Sequence, residues 1–233
     1  MKRGLAELVF VLDTSGSMAG LEEDAVGGFN SMLERQKKEE GEALVTTVLF
    51  NSNSFTVHDR LPIGRVPALT KENYAVGGST ALLDAVGSAV ERTALIHRYA
   101  REEDVPERTM FAIMTDGMEN ASTRYRYENV KRLIEESKAK GWEFIFLAAN
   151  IDAAAVGGRM GIRPERTARF CNDGAGQRVN FDAVSCAMSN YRMDGAVRAD
   201  WSERISLYRE QTEKKNEASE HAEKRSLHSD LEK

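Results

Sequence analysis

The chain is poor in cysteine, proline and histidine, with two, four and four of them among 233 residues. Cys171 and Cys186 form no CxxC pair, and two thiols in a chain this long make no disulfide framework. Both are expected to be buried thiols, and a reducing, cytoplasmic location is expected. His58, His97, His221 and His228 are scattered without the spacing of zinc ligands. No basic run is interleaved with aromatics, and the net charge of −5 gives no general attraction to nucleic acid or an anionic membrane. Apolar runs long enough to span a bilayer are also missing. The first apolar stretch is interrupted at Glu7 and ends at Asp13 with no small-residue cleavage site, so it reads as a strand rather than a signal peptide. No serine lies in a G-x-S-x-G elbow. The glycines of VGGRMGI (156–162) follow a helix and have the wrong spacing for a dinucleotide fingerprint.

What is present is ordinary for a globular protein: 41% hydrophobic and 30% charged residues, over a length that can bury a real core. Strand and helix patterns alternate. LAELVFVLD (5–13), RTMFAIMTDG (108–117) and WEFIFLAAN (142–150) are continuous apolar runs, as strands covered on both faces require. Leu21, Ala25, Phe29, Met32 and Leu33 form one stripe of a first helix, which Gly41 stops. Gly27 and Gly28 inside that helix cost about 1 kcal/mol each relative to alanine, so close packing against the sheet is expected there.

Two β-rich runs flank NSNS (51–54) and read as a hairpin that adds one antiparallel strand. A helix follows from about Ser79, with Leu82, Val86, Val90 and Ala94 on one side. YENVKRLIEESKAKG (127–141) is amphipathic, 152–162 is a short helix, and 165–173 is a weak edge strand. A last helix is expected from Phe181 to about Tyr208. The pattern implies an α/β fold: a doubly wound, mostly parallel open sheet of about six strands, one antiparallel at the edge, with helices on both faces. Residues 1–210 are expected to form one domain, and the polar segment 211–233 a frayed helix or disordered tail.

Open sheets of this kind place ligands beyond the carboxyl ends of their strands, where the strand order reverses. Asp13 and Asp116 both end strands and should meet on that rim. FVLDTSGSMAG (10–20) adds Ser15 and Ser17 in a D-x-S-x-S pattern, and Thr80 follows Gly77-Gly78 at a helix start. Two carboxylates and three hydroxyls are hard oxygen donors, suited to Mg²⁺, Mn²⁺ or Ca²⁺. Taken singly, each has another explanation: Ser15 or Ser17 could cap the first helix, and Ser79 or Thr80 the next long one.

The combination resembles the von Willebrand factor type A domain, and the five residues resemble its metal-ion-dependent adhesion site. The likeness runs from about Leu5 to about Tyr191 and is nearest to small stand-alone bacterial members. It implies a Rossmann-like fold and a divalent cation, Mg²⁺ first, with Mn²⁺ or Ca²⁺ as alternatives. In that family Asp13, Ser15 and Ser17 would bind the ion, Thr80 directly or through water, and Asp116 through water.

The implied partner is a protein that offers a glutamate or aspartate carboxylate to the ion. Met18, Ala19, Ser79, Met118, Glu119 and Asn120 are the candidate rim. The implied role is a binding module rather than an enzyme, with no nucleic acid and no membrane involved. The alternative is a metal-assisted phosphohydrolase. It is weakened because position 15 is serine where two aspartates two apart would be needed, and no lysine sits in a phosphate-gripping loop. In some relatives ligand binding moves the last helix, so a switch is a further expectation.

Overall fold

The computed structural model describes residues 1–231, with side chains to residue 219. Six strands form one sheet: β1 (Lys2–Asp13), β2 (Glu42–Phe50), β3 (Ser54–Pro62), β4 (Pro106–Thr115), β5 (Glu143–Ala148) and β6 (Thr167–Arg169). Their order is β3-β2-β1-β4-β5-β6, and β3 is antiparallel to β2 at one edge while all other pairs are parallel. The expected doubly wound sheet is present, with its antiparallel strand where the NSNS turn put it.

Six helices cover it: α1 (Glu22–Gln36), α2 (Leu82–Tyr99), α3 (Tyr127–Lys138), α4 (Ala153–Arg159), α5 (Gly174–Asp194) and α6 (Glu203–Leu231). The pleat of β1 divides the core. Leu8, Phe10 and Leu12 face α1 and α5, against Phe29, Met32, Phe181 and Met188. Val9 and Val11 face α2 and α3, against Leu82, Val86 and Ile134. Each such buried side chain contributes about 1.5–3 kcal/mol. Burial on both faces is why these strands carry apolar runs rather than alternation.

Three expectations need correction. The last helix is two helices. Gly195 sits in the left-handed region (φ 74°), and its N–H bonds to Tyr191 O, which ends α5 before α6 begins. That helix also starts earlier than Phe181, because the Asp173 carboxylate caps Gly176 N at 2.7 Å. The two α1 glycines differ. A Cβ on Gly28 would fall 2.4 Å from Phe181 of α5, a helix and not the sheet, whereas Gly27 is exposed and has nothing within 4 Å. Cys186 is exposed and Cys171 half-buried. The 211–231 segment continues α6 as a helix, exposed on every side from Glu213 to Ser219. The side chains of His221 and His228, and residues 232–233, lie outside what is described. Among the described residues no helix is long and apolar enough to cross a membrane.

Candidate metal centre

The chain leaves β1 towards β2 on one side and has β4 on the other, so the strand order reverses between β1 and β4. Leu12 pairs with Met114, which brings Asp13 and Thr115 together at the carboxyl end of this switch. Asp13 is buried; its Oδ1 accepts Ser15 N at 2.7 Å and its Oδ2 accepts Thr115 Oγ1 at 2.6 Å. Burial pushes the Asp13 carboxyl above its ordinary range, against the hydrogen bonds of Ser15 and Thr115, and the Asp116 charge pushes the same way. Tyr74, buried below, donates its hydroxyl to Asp13 O at 2.6 Å.

Neither serine caps a helix. A single turn of 3-10 helix spans Gly16–Met18, and α1 begins after Leu21 with no side-chain cap. Ser15 and Ser17 instead turn their hydroxyls towards each other, 3.1 Å apart. Ser17 Oγ then donates to Asp116 Oδ1 at 2.5 Å.

Gly77 and Gly78 stitch a second loop to the first: Gly77 N donates to Thr14 O at 2.9 Å, and Gly16 N to Gly78 O at 3.1 Å. Gly78 has φ 77°, and a Cβ there would fall 2.7 Å from Ser52 Oγ, so glycine is required on two counts. Thr80 follows and is buried; Ala81, not Thr80 or Ser79, precedes α2, with no side-chain cap. The loop after β4 grips this segment. Asn120 accepts Thr80 N at 2.9 Å through Oδ1 and donates its own N–H to Thr80 O at 3.1 Å.

Glu119 takes Leu83 N, Ala121 N, Ser122 N and Ser122 Oγ. Asp84 in turn takes Thr123 N, Arg124 N and Tyr125 N. The start of α2 is therefore satisfied by the neighbouring loop, through the Glu119 carboxylate and through Ser122 Oγ, which accepts Asp84 N at 3.0 Å, while the Asp84 carboxylate holds that loop in return. Thr80 and Asp116 are fixed relative to one another by this exchange.

Gly117 marks where the three loops meet. A Cβ built on it lies 3.5 Å from both Ser17 Oγ and Thr80 Oγ1. Asp13, Ser15, Ser17, Thr80 and Asp116 thus lie together on one rim. Of the candidate rim, Ala19, Ser79 and Asn120 are exposed, and Met118 is 70% exposed. Met18 is buried under the loop, and the Glu119 carboxylate is committed to backbone.

Two contributors escaped the sequence reading. Asn172 Nδ2 donates to Asp116 Oδ2 at 2.9 Å, and Asn150, at φ 55°, donates Nδ2 to Asp116 O at 3.1 Å. A neighbour of Asn172, Asp173, accepts Tyr208 Oη of α6 at 2.9 Å. No periodicity or motif announces such residues; the one available signal is that each follows a strand on the same rim.

The donors fit a small hard cation. Asp116 is already bracketed by neutral donors on both oxygens, and Asp13 is desolvated, an arrangement a cation would relieve. Among the described residues no group of three His, Cys, Asp or Glu side chains converges as for zinc. The hydroxyls are what make this rim a candidate.

No family model matches the chain, and no curated protein matches it. Solved structures do. A von Willebrand factor type A protein from Catenulispora acidiphila aligns at 14% identity and TM-score 0.52, over 79% of this chain and 42% of its own. Proximal thread matrix protein 1 from the mussel byssus, with a zinc-occupied MIDAS motif, aligns at 13% and TM-score 0.51, over 77% and 44%. The pilus adhesin SpaC of Lactobacillus rhamnosus GG aligns at 12% and TM-score 0.57, over 82% and 30%. The chain spans less than half the length of each. These likenesses show the fold: a von Willebrand factor type A, Rossmann-like α/β sheet.

Proposed function

We propose that this chain is a divalent-cation-dependent protein-interaction module. The supporting observation is the convergence of Ser15, Ser17 and Asp116 side chains, with Thr80 facing Ser17 across Gly117. Asp13, Ser15, Ser17, Thr80 and Asp116 would hold the ion, Mg²⁺ in the first place and Mn²⁺ or Ca²⁺ as alternatives. Mg²⁺ bound mainly through hydroxyls keeps water ligands and stays electrophilic, so it would accept an aspartate or glutamate oxygen from a partner. The zinc-occupied motif of the mussel protein and the adhesin role of SpaC lend support at the level of the fold.

The protein's own residues supply order and selectivity. Thr115 and Asn172 hold the carboxylates of Asp13 and Asp116, and Tyr74 and Asn150 hold the backbone carbonyls of the same two residues. A single carboxylate contact is too small for specificity, which needs surrounding apolar anchors. Met118 is the exposed one beside Gly117 and offers an adaptable thioether to an apolar group next to the acidic residue. Residues 1–210 would act as one domain.

Affinity capture from cell extract in Mg²⁺ and in chelator, with wild type and Asp116→Ala, tests this reading. A partner retained only by wild type in Mg²⁺ is expected. Retention that survives chelator, or is equal for the variant, contradicts it.

A further inference from the structure

At the opposite, amino-terminal end of the sheet lies a charged cluster that the rim does not use. Glu7 of β1 is fully buried, and its Oε2 meets Arg60 Nη1 at 2.5 Å and His97 Nε2 at 2.6 Å. Its Oε1 has no partner, nor has the hydroxyl of Thr109, its register partner on β4. Arg60 reaches the carboxylate from a left-handed backbone position (φ 49°), beside two register shifts between β2 and β3. A buried charge and a strained backbone are both costly, which points to something being held in place.

What they hold is His97, and through it Trp142. The imidazole stands edge-on to the indole (5.0 Å, 71°), and the indole is stacked on Phe111 (5.7 Å, 17°). Together these two rings form part of the wall of an open groove of about 490 Å³ between α2 and α3, a size suited to a small molecule. Leu95, 53% exposed, and the half-buried Leu133 extend the apolar surface. Arg98 and Lys140 complete it, and neither has a carboxylate partner among the described residues. Glu91, the groove's one acid, is engaged by Tyr125 Oη at 2.5 Å and Arg124 at 3.6 Å.

We propose that this groove is a second ligand site, for a small amphipathic anion. A flat apolar group would lie against Trp142, Leu95 and Leu133, and its anionic end between Arg98 and Lys140. The positive local balance, in a chain of net charge −5, selects the sign. The locked His97–Trp142 pair lowers the ordering cost of binding.

The test uses phenyl phosphate, with inorganic phosphate and phenol as controls, in chelator so that the candidate metal centre plays no part. Quenching of Trp142 fluorescence is read in a Trp201→Phe background. Saturable quenching by phenyl phosphate is expected. Affinity should fall about tenfold or more in Arg98→Glu/Lys140→Glu and, independently, in Leu95→Glu, a change of about 1.4 kcal/mol. Each control should bind at least about tenfold more weakly. No saturable quenching overturns the proposal, as does unchanged affinity in the charge-reversed variant. Phenol or inorganic phosphate binding as well as phenyl phosphate also overturns it.

Discussion

Ser17 Oγ lies 2.5 Å from Asp116 Oδ1, a hydrogen bond that joins positions 99 apart in the sequence. It exists because β1 and β4 are parallel neighbours at the reversal of strand order, so the loops that leave them share one rim. The same contact sets the candidate site's electrostatics. A carboxylate that already accepts a hydroxyl and the Asn172 amide is oriented before any ion arrives.

Asn172 is therefore expected to matter although it sits outside the five-residue pattern. Asn172→Ala frees Asp116 Oδ2, and loss of such an orienting partner typically costs about 10–100-fold in metal affinity. Calorimetric Mn²⁺ titration checks this, and a circular dichroism spectrum unchanged from wild type shows that the fold is kept.

The two adjacent glycines of α1 should respond with opposite signs. Gly28→Ala forces a Cβ to 2.4 Å from Phe181 and should destabilise by about 1–3 kcal/mol. Gly27→Ala meets nothing and should stabilise by roughly 0.5–1 kcal/mol, the helix propensity difference. Urea denaturation of both variants reads the difference directly.

Alkaline stability should depend on Tyr191. Its hydroxyl donates to Gly141 O at 3.0 Å and Thr109 O at 3.2 Å, and burial pushes its pKa up to about 12 from 10.0. The folded state disfavours the phenolate, so this contribution is complete below pH 10 and is lost as the pH rises towards 12. Tyr191→Phe should flatten that fall, measured as the urea midpoint against pH.

Much of the fold was legible because its signals are local. Apolar runs ending in aspartate mark strands covered on both faces, and Asp13, Ser15, Ser17, Thr80 and Asp116 stand at strand ends or a helix start. What was not legible depends on distant partners. Glu7 reads as an interruption of a strand, yet it is buried by Arg60 and His97, 53 and 90 positions away. Gly195 ends α5, but apolar spacing continues through Val197, Trp201 and Ile205, so periodicity alone carries one helix across the turn. Asn150 and Asn172 lie in loops, where neither period nor composition distinguishes a gripping amide from any other asparagine.

Calorimetric titration of Mg²⁺ and Mn²⁺ into wild type and Asp13→Ala tests the central claim most directly. Wild type is expected to bind one ion saturably, and the variant to lose that binding. Equal binding by the two proteins would contradict the assignment of the cation to this rim.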